Sequence, residues 1–185
     1  MHYLVPIDFS DNSLKALDFA LALATSKADR ITLLHVVETH YDFASQVEFF
    51  TKQQLQEGKK RGKELLASHG DSKINLKFKL VEGNPALQIT QLAAKQKVDL
   101  IVMGTKGASG ITKTLIGTVA VSVVREAACP VLIIPEAAVK TNLKQFVLGV
   151  GFADHEPPLL NWLATQIKKW KGQLQVVHVR SSEKQ

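Results

Sequence analysis

Apolar residues fall in short runs separated by longer stretches of helical period, and the alternation repeats along the chain. "YLVPID" (3–8) is an apolar run closed by a proline and an aspartate, and it reads as a buried strand. In "SDNSLKALDFALALATSKA", Ser10 is placed to cap a helix, with Leu14, Leu17, Leu21 and Ala24 at helical spacing. "RITLLHVV" (30–37) is β-branched and almost continuously apolar, as a strand buried on both faces should be. "ETHYDFAS" reads as a loop, and a long polar helix from Gln46 to about Ser68 is carried by Phe50, Leu55, Leu65 and Leu66. "NLKFKLVEG" (75–83) alternates, which predicts a strand nearer an edge. Asn84 and Pro85 open the next helix as cap and first residue. "DLIVMGT" (99–105) is a buried strand, Thr118 is expected to cap a helix to about Ala127, and "CPVLIIP" (129–135) supplies a fifth strand.

Strands alternating with helices imply right-handed crossovers and a parallel sheet covered on both faces. The expected fold is a doubly wound, Rossmann-like α/β domain over residues 1–137, with five parallel strands. Such sheets bind ligands beyond the carboxyl ends of their strands, where the strand order reverses. Asp8 and Gly104 lie at two such ends and become neighbours if strands one and four are adjacent.

Residues 136–144 read as a linker, and the segment after it repeats the beginning of the chain. "FVLGVGFADHEPPLLNWLATQIKKWKGQLQVVHVR" lies over "YLVPIDFSDNSLKALDFALALATSKADRITLLHVV" without a gap. Phe9 falls on Phe152, Asp11 on Asp154, Leu17 on Leu160, and His35-Val36 on His178-Val179. Residues 145–185 are therefore expected to be a partial second domain, strand–helix–strand, with Pro157 and Pro158 in the first turn of its helix. It has Gly149, Gly151 and Ala153 where the first half has Pro6, Asp8 and Ser10, so chemistry needing Asp8 is absent from it. A unit this small is not expected to fold alone. It must pack on the first domain or on another chain, as in a truncated tandem protein.

Composition narrows the setting. One cysteine, Cys129, excludes a disulfide within the chain and favours a reducing compartment. No signal peptide and no apolar run of membrane-spanning length are visible, so the expected location is cytoplasmic, with no membrane partner. The net charge of +6 comes from scattered lysines that few aromatics accompany, which argues against nucleic acid.

The chemistry concentrates in "MGTKGASGITKTLIGTVAVSVV" (103–124), with the spacing Gly104-x2-Gly107-x9-Gly117-Thr118. It comes directly after a strand and opens a helix, where bare amides and the helix dipole suit phosphate oxygens. It is not a Walker A loop, because Thr112 precedes Lys113 where that motif needs glycine. Nor is it the dinucleotide fingerprint, which belongs after the first strand. Blander readings stand beside these. The glycines can form a plain loop, Asp8 can cap the first helix, and His35 and Met103 are explained by packing. Cys129 is explained as a small buried residue.

The stretch "GTKGASGITKTLIGTVAVSVVREAACPVLIIP", with "VPIDFS" and "LLHVV", resembles the universal stress protein family, in particular its ATP-binding branch. The resemblance covers residues 1–137 and, more weakly, 145–180. It implies ATP, with Mg²⁺, as ligand. Asp8 would face the ribose or a phosphate-bound metal, Pro6 and Ile7 would line the base pocket, and Val36 would offer backbone groups to the adenine edge. Met103 and Gly104 would border base and ribose, and Gly107, Gly117, Thr118 and Val119 would hold phosphates. Lys106 and Lys113 would add positive charge. The implied function is a nucleotide-dependent regulator of stress survival, acting as a homodimer on a protein partner that the sequence does not name. Two alternatives are a slow ATPase or related nucleotide-processing enzyme, and a dimerisation module with a vestigial pocket.

Overall fold

A computed structural model of the 185-residue chain describes residues 1–38, 44–70, 72–105, 117–139, 144–149 and 157–177. The elements are β1 (His2–Pro6), α1 (Asp11–Leu23), β2 (Arg30–Val37), α2 (Ala44–Ser68), β3 (Asn75–Glu82) and α3 (Pro85–Lys95). They continue with β4 (Leu100–Gly104), α4 (Thr118–Glu126), β5 (Val131–Ile134), β6 (Gln145–Gly149), α5 (Pro157–Trp170) and β7 (Gln173–Val177). The chain divides into two compact units, Met1–Lys140 and Thr141–Gln185.

In the first unit all strands are parallel, in the order β3-β2-β1-β4-β5. β1 lies between β2 and β4, so the strand order reverses there, and the carboxyl ends carrying Asp8 and Gly104 are side by side. The expected doubly wound α/β fold is the observed one, with the alternating segment 75–83 at one edge. Leu4, Leu34, Ile101 and Met103 point to one face and form a buried core with Ile89 and Ala93 of α3 and Ala120 and Val123 of α4. α1 and α2 cover the other face. There α2 makes its approach through two glycines one turn apart. A Cβ on Gly58 would stand 2.8 Å from His35 Cδ2, and one on Gly62 would stand 2.2 Å from Phe78 Cε1. A helix that reads as mostly polar is thus brought down by a bare stripe of buried glycines, with Leu55, Leu65 and Leu66 half-buried, whereas Phe50, expected to help carry it, is 59% exposed.

The helix starts obey local chemistry. Ser10 caps α1, accepting from the Ser13 amide at 3.3 Å, and Asn84 caps α3, accepting from the Leu87 amide at 3.0 Å. α4 departs from the sequence expectation. Its cap is Gly117, in extended backbone and without a side-chain bond, and Thr118 is the first helical residue. The reason is that the Gly117 amide donates to the Thr105 carbonyl at 2.5 Å. That bond holds Gly117 against the end of β4, and the helix begins one residue later.

In the second unit β6 and β7 are parallel neighbours. Phe146 stacks on Trp170 of α5, with ring centroids 5.6 Å apart, and Trp162 meets Trp170 edge-on. The pairing repeats that of β1 with β2 at the constant shift of the ungapped alignment: His2 opposite Arg30 becomes Gln145 opposite Gln173, and Tyr3 opposite Ile31 becomes Phe146 opposite Leu174. Burial does not repeat. Leu4 and Leu33 are 0% exposed, whereas Val147 and Val176 at the matching positions are 68% and 61% exposed.

Candidate functional site

The site is built where β1, β2 and β4 end. Two residues past β1, Asp8 turns back on the start of α1: its Oδ1 accepts from the Ser10 amide at 3.0 Å and from Ser10 Oγ at 2.5 Å. The cap of α1 is therefore Ser10, and Asp8 braces that cap.

Between them Phe9 adopts φ 63°, a left-handed conformation uncommon for a bulky residue. Its ring centroid is 4.7 Å from that of His35 and 6.3 Å from that of Phe78. The Arg61 guanidinium carbon sits 4.4 Å from the Phe9 centroid, and Arg61 Nη2 donates to the Phe9 carbonyl at 3.4 Å. On the other side of the turn, His35 Nδ1 lies 2.7 Å from the Ile7 carbonyl. A carbonyl can only accept, so Nδ1 carries the proton and donates. Burial, the largest influence, lowers the His35 pKa. Arg61 lowers it further, while the Ile7 carbonyl and Asp8 work the other way. His35 is a packed, neutral ring that pins the turn, in line with the packing expected of it.

The remaining candidates fall into place around this turn. Pro6 ends β1 half-buried, and Ile7 is buried with its amide donating to the Leu34 carbonyl at 2.8 Å. Val36 lies partly buried against the core on the α3–α4 face, and so does Val119. The Met103 side chain is inside that core. Gly104, the last residue of β4, faces α1, where an added Cβ would stand 2.7 Å from Asn12 Nδ2 and 3.1 Å from the Asn12 carbonyl oxygen. Asn12 is buried and its Nδ2 donates to Thr105 Oγ1 at 3.3 Å. The bareness of Gly104 thus has a packing reason, in that the first turn of α1 occupies the space of its side chain. Gly117, Thr118 and Val119 reach the site through the Gly117–Thr105 bond. Lys106, Gly107 and Lys113 lie outside the described residues.

An open groove of about 830 Å³ runs along the α2 side of the site, walled by Asp8, Phe9, His35, Val36, Phe50 and Arg61, among others. Asp8 and Val36, singled out in the sequence as candidates, line this groove, and so do Phe9, Phe50 and Arg61, which were not singled out as site residues. Gly58 and Gly62, one turn apart, were the available signal that this polar helix packs closely enough to wall a site.

Electrostatically, the start of α4 differs from the starts of α1 and α3. Those two are closed by the side chains of Ser10 and Asn84, whereas Gly117 offers α4 no side-chain acceptor. The first-turn amides of a helix carry partial positive charge, and an N-terminus without a side-chain cap suits an anion.

His2 also has a lowered pKa, caused first by burial and then by Arg30. Both imidazoles are harder to protonate in the folded chain than when exposed. Between the lowered values and about 6.5 the unfolded chain therefore binds more protons, and stability falls as pH drops. The midpoint of thermal unfolding should be level above about pH 7 and decline from there toward pH 5. Replacing His35 with Gln should flatten that decline. A midpoint that rises over the same interval would contradict the assignment.

Fold and site together define a doubly wound α/β domain whose ligand end is a strand-order reversal beside a helix capped by a glycine. The universal stress protein family matches residues 1–135, and the chain belongs to that family, which acts in stress response. Universal stress protein MJ0531 of Methanocaldococcus jannaschii is 33% identical over 141 residues, spanning 71% of this chain and 79% of its own length. A solved universal stress protein from Archaeoglobus fulgidus shares the fold over 99% of this chain and 67% of its own, with TM-score 0.74 and 22% identity. A universal stress protein solved in complex with cAMP is 26% identical over 72% of this chain and 96% of its own, with TM-score 0.53. No helix among the described residues is long and apolar enough to cross a membrane.

Proposed function

We propose that this chain is an ATP-binding universal stress protein, a cytoplasmic regulator whose nucleotide occupancy changes how it associates. The observation that carries the reading is the start of α4, a glycine-capped helix bonded to the end of β4, with no side-chain cap among the described residues, a helix end whose amides suit an anion. The related structure with cAMP supports an adenine nucleotide as the ligand class. In this reading Pro6, Ile7 and Val36 lie along the base, Asp8 faces the ribose or a phosphate-bound metal, Met103 and Gly104 border base and ribose, and Lys106, Gly107, Gly117, Thr118 and Val119 surround the phosphates. Mg²⁺ accompanies the phosphates and offsets their charge when bound.

Residues 145–185 are, in the same reading, a partial second domain of this family. The shared strand register supports this, and Gly151 in place of Asp8 leaves it without the ribose contact. Assembly is proposed to be a homodimer, since β5 is an edge strand of the sheet with backbone groups to pair. Efficient hydrolysis is not part of the proposal. Asp8 is the one candidate base at the turn, its Oδ1 is engaged by Ser10, and His35 spends its Nδ1 proton on Ile7.

Equilibrium dialysis against ATP, with and without Mg²⁺, tests the reading, together with mass spectrometry of small molecules released on denaturation. Saturable binding of ATP at one site per chain is expected. Absence of binding at millimolar nucleotide, with no nucleotide released, would overturn it.

A further inference from the structure

We propose that Arg61, acting through Phe9, is a positioning residue that fixes Asp8 for the nucleotide and so ties ligand affinity to helix α2; this rests on the nucleotide reading above. Four consecutive residues are pinned by different elements. Ile7 is held by His35 of β2, through the 2.7 Å bond to its carbonyl. Ser10 caps α1 and holds Asp8 Oδ1. Phe9 is held by α2, through the Arg61 guanidinium over its ring at 4.4 Å and the Arg61 bond to its carbonyl.

Phe9 is the weak point of that chain, because φ 63° is a conformation such a residue keeps only where its surroundings over-determine it. Phe78 and His35 lie beside the ring, and Arg61 covers it from α2. Its planar guanidinium stacks on the ring and donates to the backbone in one pose, which a lysine ammonium does not reproduce. The reach of Arg61 is set in turn by its neighbours on α2, since Gly58 and Gly62 bring the helix down onto His35 and Phe78. A movement of α2 therefore loosens Phe9, and a loosened Phe9 frees the carboxylate beside it.

The test is a double-mutant cycle on ATP affinity with Arg61→Ala and Phe9→Gly, read by calorimetry beside thermal melts. Glycine accepts the left-handed turn without the ring, and Phe9→Asn serves if the glycine variant does not fold. Arg61→Ala should weaken ATP about three- to tenfold. Arg61→Lys should recover only part of that, and Arg61→Ala should add nothing once Phe9 is Gly. The loss should also be nearly independent of salt. Wild-type affinity in Arg61→Ala overturns the inference. An equal loss in both Phe9 backgrounds also overturns it, since Arg61 would then act on the ligand as a charge. Failure of the unmodified protein to bind ATP is a different outcome, removing the nucleotide reading and this inference with it.

Discussion

Gly117→Val should abolish nucleotide binding and leave the fold standing. Gly117 has φ −70° and ψ 156°, extended backbone that valine adopts readily, so the backbone takes the change without strain. Its amide bond to the Thr105 carbonyl is kept. The cost to stability is that of a poorer helix cap, about 1 kcal/mol. The ligand meets a different surface. A branched side chain at the cap would stand next to the first-turn amides, where phosphate oxygens would have to sit within hydrogen-bond distance. We expect ATP affinity to fall by about a hundredfold or more, measured by calorimetry on protein whose melting midpoint has shifted only a few degrees. Affinity within a factor of two of the unmodified protein would remove the phosphates from α4.

Gly104→Ala should have its main effect on stability. The added carbon would stand 2.7 Å from Asn12 Nδ2, 2.8 Å from Asn12 Cγ and 3.1 Å from the Asn12 carbonyl oxygen. The amide side chain can swing away only by giving up its bond to Thr105, and the carbonyl belongs to the backbone of α1. Either α1 lifts from β4 or the side chain abandons its buried place, a change of the overpacking kind that costs about 1–3 kcal/mol. Gly149→Ala, in the second unit, is the control for a glycine with room, because a Cβ there meets nothing within 4 Å among the described residues. Urea unfolding of the two variants should show a clear loss for the first and almost none for the second. Equal midpoints would mean that Gly104 is bare for some other reason than the approach of α1.

These two glycines also show where sequence reading reaches and where it stops. The spacing from Gly104 to Gly117 marks a strand end and a helix start, and both are found there. What the spacing does not distinguish is the reason for each absent side chain. At Gly104 the neighbour is Asn12, which is distant in sequence and adjacent only because β1 pairs with β4. The strand order itself was within reach, since alternating apolar strands and helices admit few parallel arrangements. The α2 wall was not. Phe9 looks like an ordinary apolar residue after a strand, and Arg61 like one charge in a solvated run. Only the left-handed turn and the close helix on its two glycines bring them together. The displaced cap of α4 has the same origin, a backbone bond from Gly117 to Thr105 that no side-chain preference encodes.

The place of β1 in the middle of the sheet sets a timetable for the chain as it leaves the ribosome. β2 reaches β1 after one helix, and β3 adds to that pair once the 25-residue α2 has followed, so this half of the sheet is made before the other. The other flank of β1 pairs through Tyr3 and Leu4 with Leu100 and Ile101, which emerge far later. Until then the nascent chain carries a central strand with one unpaired flank. The tip of β4 and the start of α4, where the strand order reverses, come into being only after the β3-β2-β1 half of the sheet, with the rest of α4 and the edge strand β5 still to follow.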